Sequence, residues 1–213
     1  MTTNSASYAA RLDVDYPESL DRITTFVRWI LAIPILAVLS LLCASVNDTV
    51  VKETGDAVTR SGGGITSGLF VATMLMIVFR QRYPRWWFNF AQELARFGAR
   101  VGAYLALLTD QYPSTVDEQS VHLEIDYPDV EQDLNRWLPL VKWLLAIPHG
   151  IVLVVLWFIA IIAVVIAWFA ILLTGSYPRA LFDYVVGVGR WGLRVYAYAF
   201  LLVTDQYPPF SLG

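Results

Sequence analysis

Apolar residues in this chain gather in long runs, and the longest, Ile151 to Leu173, contains no polar side chain. About 20 apolar residues in a helix suffice to cross the hydrocarbon core of a bilayer. A soluble domain would have to bury such a helix on every side, which needs more surrounding core than a chain of this length offers. The pattern therefore predicts a helix in lipid. The first half carries two apolar segments, Phe26–Ser45 and Ile65–Phe79, separated by a polar, glycine-rich stretch, Asn47–Gly64, expected to be a loop. The second half lacks that stretch. Its apolar residues run almost without interruption from Trp143 to Leu173, about 46 Å as one helix. Two architectures fit: a membrane hairpin in each half, or one long crossing in the second. Pro148, His149 and Gly150 offer a break, whereas no turn-forming residue stands near Ala160, where a hairpin would bend.

Shorter patterns frame these runs and occur twice. Leu12-Asp-Val-Asp-Tyr-Pro17 alternates apolar and polar residues up to a proline and predicts a short strand; Leu123-Glu-Ile-Asp-Tyr-Pro128 repeats it. Arg28-Trp-Ile-Leu-Ala-Ile-Pro34 matches Lys142-Trp-Leu-Leu-Ala-Ile-Pro148. Arg96-Phe-Gly-Ala-Arg-Val-Gly-Ala-Tyr104 matches Arg190-Trp-Gly-Leu-Arg-Val-Tyr-Ala-Tyr198. Thr-Asp-Gln-Tyr-Pro closes each half, at Thr109–Pro113 and Thr204–Pro208. Blocks matched in the same order predict a duplicated unit, residues 8–113 and 119–213. Each predicted strand is too short to be stable alone, so the two are expected to lie together. Tyr-Pro dipeptides, ending at Pro17, Pro84, Pro113, Pro128, Pro178 and Pro208, fall at element edges and read as punctuation and interface anchors.

The segments Pro84–Leu108 and Pro178–Val203 have a different period. Asn89, Arg96 and Arg100 recur at seven and four residues, as do Asp183, Arg190 and Arg194, and so fall on one helical stripe. Trp86, Trp87, Phe90 and Phe97, then Phe182, Tyr184 and Trp191, add aromatic bulk beside the stripe. This predicts amphipathic helices in the membrane interface, with Arg96, Arg100, Arg190 and Arg194 against lipid headgroups.

Charge and composition refine the picture. Mean hydropathy is +0.54 and charged residues make up 15%, below the roughly 25% of soluble chains. Of 15 Lys and Arg residues, only Lys52 and Arg60 fall on the far side of a double-hairpin topology. The positive-inside rule then favours two hairpins over a single crossing and puts both termini in the cytoplasm. A net charge of −3 gives no reason to expect a nucleic-acid partner. The single cysteine, Cys43, excludes an internal disulfide. No cleavable signal peptide is expected in the first 25 residues.

Candidate chemistry is sparse. Gly187-Val-Gly-Arg-Trp-Gly192 satisfies a dinucleotide-binding pattern but follows no strand, and reads as a small-residue face for helix packing. His149, with Ile35 at its counterpart in the first half, reads as a turn or cap after Pro148. Asp110 and Asp205 occupy equivalent boxes and are the best paired carboxylates, although an Asp there most often caps backbone amides. Asn47-Asp-Thr49 matches a glycosylation acceptor. No metal-ligand spacing, nucleophile–base pair or phosphate loop occurs, so no cofactor, metal or catalytic residue is expected.

The boxes ending at His149, Pro178 and Arg194, together with Thr-Asp-Gln-Tyr-Pro-Pro-Phe210, resemble a membrane family known as domain of unknown function 4389. The resemblance extends over both halves and is closer in the second. It implies membrane residence and no activity. The expectation is an all-α integral membrane protein of two tandem repeats, each a short β-strand, a transmembrane helical hairpin and an interfacial amphipathic helix. It would sit in the cytoplasmic membrane as a multi-pass protein. The leading function is a non-enzymatic accessory or scaffold subunit that packs with another membrane protein, or with itself, among membrane lipids. The alternative is a transporter or lipid-binding protein with a site between the repeats, and an enzyme acting on lipids comes third.

Overall fold

The computed structural model describes residues 8–43, 46–51, 57–62 and 64–213. Within them the chain is mostly helical, in the order β1 (Ala10–Val14), α1 (Arg22–Cys43), β2 (Val46–Val51), β3 (Ala57–Gly62), α2 (Ile65–Leu75), α3 (Arg85–Leu105), β4 (Val121–Ile125), α4 (Pro139–Leu145), α5 (Ile147–Thr174) and α6 (Arg179–Tyr196). Two of these helices, Arg22–Leu42 and Ile147–Thr174, are long and apolar enough to cross a membrane. Single π-helical turns, Met76–Arg80 and Ala197–Leu201, extend α2 and α6.

The expected strand pair forms. β1 and β4 are antiparallel, with Leu12 opposite Leu123, Arg11 opposite Glu124 and Asp13 opposite His122. Each strand starts two residues earlier than its alternation predicts, since Ala10 and Val121 are also buried. The sheet packs on α3 and α6, with β1 against α6 and β4 against α3, so each strand lies on the helix of the other half. On their far side α3 and α6 meet the apolar helices α1 and α5. The amphipathic helices are thus a middle layer between a charged sheet and an apolar one.

The expected hairpins do not form. In the second half α5 runs on through Ala160 as one helix of 28 residues, about 42 Å long. With no glycine, proline or polar residue from Ile151 to Leu173, nothing opens its backbone ladder. The only break lies just before Pro148, where α4 ends at Leu145. In the first half α1 and α2 run end to end. Arg28 of α1 meets Tyr104 at the far end of α3; Leu39 and Leu42 pack against the cluster of Phe97, Val101 and Tyr104; Thr73 of α2 meets Trp87 near the start of α3. Both helices therefore run the same way along α3, as α5 runs along α6. Pro34 and Tyr83 are 49 residues apart and Pro148 and Tyr177 only 29, so the first half carries 20 residues more. Those extra residues fall at the joint between α1 and α2. The glycine-rich stretch there is no simple loop, because β2 and β3 pair antiparallel with Val50 opposite Val58 and Thr49 opposite Thr59. Branched residues at these positions favour the extended chain over the turn that the glycines suggest. The side chains of the glycosylation acceptor and of Cys43 lie outside the described residues.

Corresponding chain reversals appear in both halves. Gln81 (φ 46°) and Gly175 (φ 77°) end the apolar helices, and Leu107 (φ 64°) and Leu202 (φ 59°) end the amphipathic ones, all in left-handed conformation. A leucine there costs of order 1–3 kcal/mol. Burial of both side chains, at 2% and 0% exposure, opposes that cost.

Candidate functional site

Four features of the molecule bear on function, beginning with two buried cations that the sequence reading passed over. Arg28 and Lys142 are 2% and 0% exposed, although each stands in an apolar context. Arg28 donates to the carbonyls of Tyr104 (2.8 Å) and Thr109 (2.9 Å) and pairs with the Asp110 carboxylate. Lys142 donates to the Thr204 carbonyl (2.8 Å) and pairs with Asp205 at 2.6 Å. Each cation also faces a matched tyrosine ring, Tyr104 at 4.6 Å and Tyr198 at 5.2 Å. The second oxygen of each aspartate accepts a backbone N–H, from Asp21 (2.7 Å) and Asn135 (2.5 Å). Asp21 and Asn135 in turn accept the amides of Ile23 and Trp137. Asp110 and Asp205 therefore do bind backbone amides, as expected of such a box, and each also neutralises a buried cation. They are not brought together, since each serves its own half. Burial lowers the Lys142 pKa, and the bond to Asp205 opposes that shift. The signal available in the sequence was the basic residue that opens both Trp-x-Leu-Ala-Ile-Pro blocks.

The four stripe arginines turn toward protein carbonyls. Arg190 Nε donates to the Leu12 carbonyl (2.8 Å) and its Nη2 pairs with Asp13 (2.7 Å). Arg96 donates to the Leu123 carbonyl (3.2 Å) and pairs with Glu93. These two arginines thus hold the two leucines that face each other at the centre of the sheet. Arg100, only 8% exposed, donates to the Ser114 carbonyl (2.5 Å). Arg194 donates to the carbonyls of Ser211 (3.3 Å) and Gly213 (2.6 Å).

The third feature is a closed aromatic box. His149 is fully buried in the first turn of α5, stacked 4.0 Å from the Phe210 ring, and its Nδ1 accepts the Trp191 indole N–H at 3.1 Å. It packs α5 against α6 and caps nothing. Among the described residues no group of His, Cys, Asp and Glu is placed to hold a metal ion.

The fourth feature is empty space at the seam between the halves. One cavity of about 400 Å³ lies under the sheet, bounded by Leu12 and Leu123 and by Gly98, Gly102, Gly189 and Gly192 of α3 and α6. A second, of about 530 Å³, adjoins it through Gly102, Ala106, Trp157 and Val185 and extends to Trp29, Ile161 and Phe169. Both are lined almost wholly by apolar groups. The glycines create part of the room, because a Cβ added at Gly98 or Gly102 would meet nothing within 4 Å. In the pattern Gly187–Gly192 two glycines instead permit close approach, Gly187 to Leu212 and Gly189 to Leu12, so the small-residue face receives a non-helical segment and strand β1 where helix packing was expected.

The family described as a domain of unknown function, DUF4389, matches residues 137–211, which run from α4 through the Asp205 box. The match is a single copy in the second half. No curated protein and no solved structure matches the chain.

Proposed function

We infer that the chain is a membrane protein built from two copies of one unit, and that it binds an acyl chain in the apolar cavity between them. The observation that carries this reading is the pair of adjoining cavities, about 400 and 530 Å³, within the range of roughly 300–1,000 Å³ typical of ligand sites. The second cavity is bordered by Trp29, Ile161 and Phe169, each more than half exposed on the apolar face. A chain could pass from that face into the seam without crossing a polar barrier. Support for duplication comes from the paired arrangements: two cation–aspartate cages, two arginine–leucine clasps and two left-handed leucines at corresponding positions. The protein works without catalysis, with both termini on the cytoplasmic side of the cell membrane, as a lipid holder or presenter.

The test is lipid identification by mass spectrometry after purification in mild detergent, on the parent and on Gly98→Leu and Gly102→Leu. Both variants are expected to fold, since leucine is the better helix former by up to about 1 kcal/mol, and to lose the bound lipid. Folded variants that retain the parent's lipid stoichiometry would refute the site. An accessory-subunit role is the second reading, favoured by the exposed apolar surface of α1, including Phe26, Trp29 and Ile33. It predicts a co-purifying membrane protein that the two glycine variants do not displace.

A further inference from the structure

Given membrane residence, which this step takes from the preceding reading, the layers fix how the molecule sits. α5 and α6 are antiparallel neighbours: Tyr184 donates to the Leu156 carbonyl at 3.1 Å, and Trp191 meets His149 seven residues further along α6 and seven back along α5. Between those contacts Gly189 approaches Leu12, the centre of the sheet. The sheet therefore lies across α6 from the apolar run of α5, beside its length and not beyond its end.

That placement forces a choice. If α5 crossed a bilayer, the sheet would stand at hydrocarbon depth. Its carboxylates are open, Asp13 at 69% exposure, Asp15 at 66% and Glu124 at 72%, and so is the polar ring of His122 at 57%. Exposed charges at that depth are strongly disfavoured. If α5 lies parallel to the membrane, the sheet faces water, α3 and α6 sit at the boundary, and only the apolar face of α1, α4 and α5 meets lipid. Exposed residues Ile151, Val155, Phe158, Ile162, Val165, Phe169 and Leu173 form a stripe along α5 opposite the buried Ala160, Ala163 and Ala167.

We propose that this protein seats in one leaflet, with α5 lying in the membrane plane and the β1–β4 sheet turned to water. The multi-pass topology expected from charge counting is replaced by a one-sided one. Nitroxide labels are placed singly at Ile151, Phe158, Val165 and Leu173 on a Cys43→Ser background, and immersion depth is read in vesicles of mixed phosphatidylethanolamine and phosphatidylglycerol. Level depth along the helix is the expected result. Depth that rises to Phe158 and Val165 and falls at both ends would overturn the seating while leaving membrane residence intact. Labels exposed to water at all four positions would overturn both. In parallel, Glu131→Cys and Ser176→Cys, at opposite ends of the α4–α5 rod, are treated with an impermeant thiol reagent in sealed native vesicles of known orientation. Both should react from the same side; reaction from opposite sides refutes the proposal.

Discussion

Arg28 and Lys142 pay the full desolvation cost of a charge and recover it through three kinds of contact: a carboxylate, backbone carbonyls and a tyrosine face. Removing the carboxylate leaves a buried cation unpaired, which costs about 3–5 kcal/mol. Asp110→Asn and Asp205→Asn are each expected to lower the melting temperature sharply in detergent, and Lys142→Met with Asp205→Asn together should cost less than Asp205→Asn alone. A double variant no more stable than that single would remove the pairing argument. Arg190→Gln has a smaller consequence. It loses charge-assisted bonds to Leu12 and Asp13, worth about 1.5–3 kcal/mol at most for such bonds and less here because Asp13 is largely exposed. Hydrogen exchange should quicken at β1 amides more than at α5 amides; uniform quickening would point to general loosening. The stripe itself was legible from spacing, because seven and four place arginines on one face whatever they touch. Their partners were not, since a stripe records a direction and the carbonyls it reaches lie anywhere from 14 residues away, at Ser114, to 178, at Leu12.

Helices were the most legible elements, through the apolar runs and the amphipathic period. Their direction was hidden. An apolar run has the same pattern whether the chain folds back after it or continues, and a glycine-rich interval invites the hairpin reading. The 20 extra residues of the first half are the part that misled, and they yield a prediction at this scale. Joining Cys43 directly to Gly64 restores the spacing found between Pro148 and Tyr177. Because α1 and α2 already run in one direction, the deletion variant should fold with a higher helical fraction by circular dichroism and keep the melting temperature within a few degrees. Failure to fold would show that the interruption is required for α1 and α2 to find their places on α3.

For the molecule as a whole, the alternation in Leu12–Tyr16 and Leu123–Tyr127 was enough to bring the two strands together, and matched blocks were enough to suggest halves of one design. The proposed seating in one leaflet was not readable, because hydropathy reports what a helix prefers to touch and not which way it points; it rests on the sheet standing beside α5 and not beyond it. The seam also needed coordinates, since glycines four apart look the same whether they admit a neighbouring helix or leave a void.

The register of the sheet carries a consequence for how such a chain could have begun. Leu12 faces Leu123, its own counterpart, so each strand could equally pair with a copy of itself about that leucine. Folded on itself in this way β1 would set Arg11 against Asp13, and β4 would set the His122 imidazole beside Glu124: neither strand opposes like charges in its own reflection. If the halves are copies of one unit, as proposed, a single unit would contain what it needs to close a symmetric pair between two molecules, and fusing two genes would convert that pair into one chain. Residues 119–213 expressed alone should accordingly sediment as a dimer in detergent, and His122→Glu, which sets like charges across the axis, should shift it to monomer.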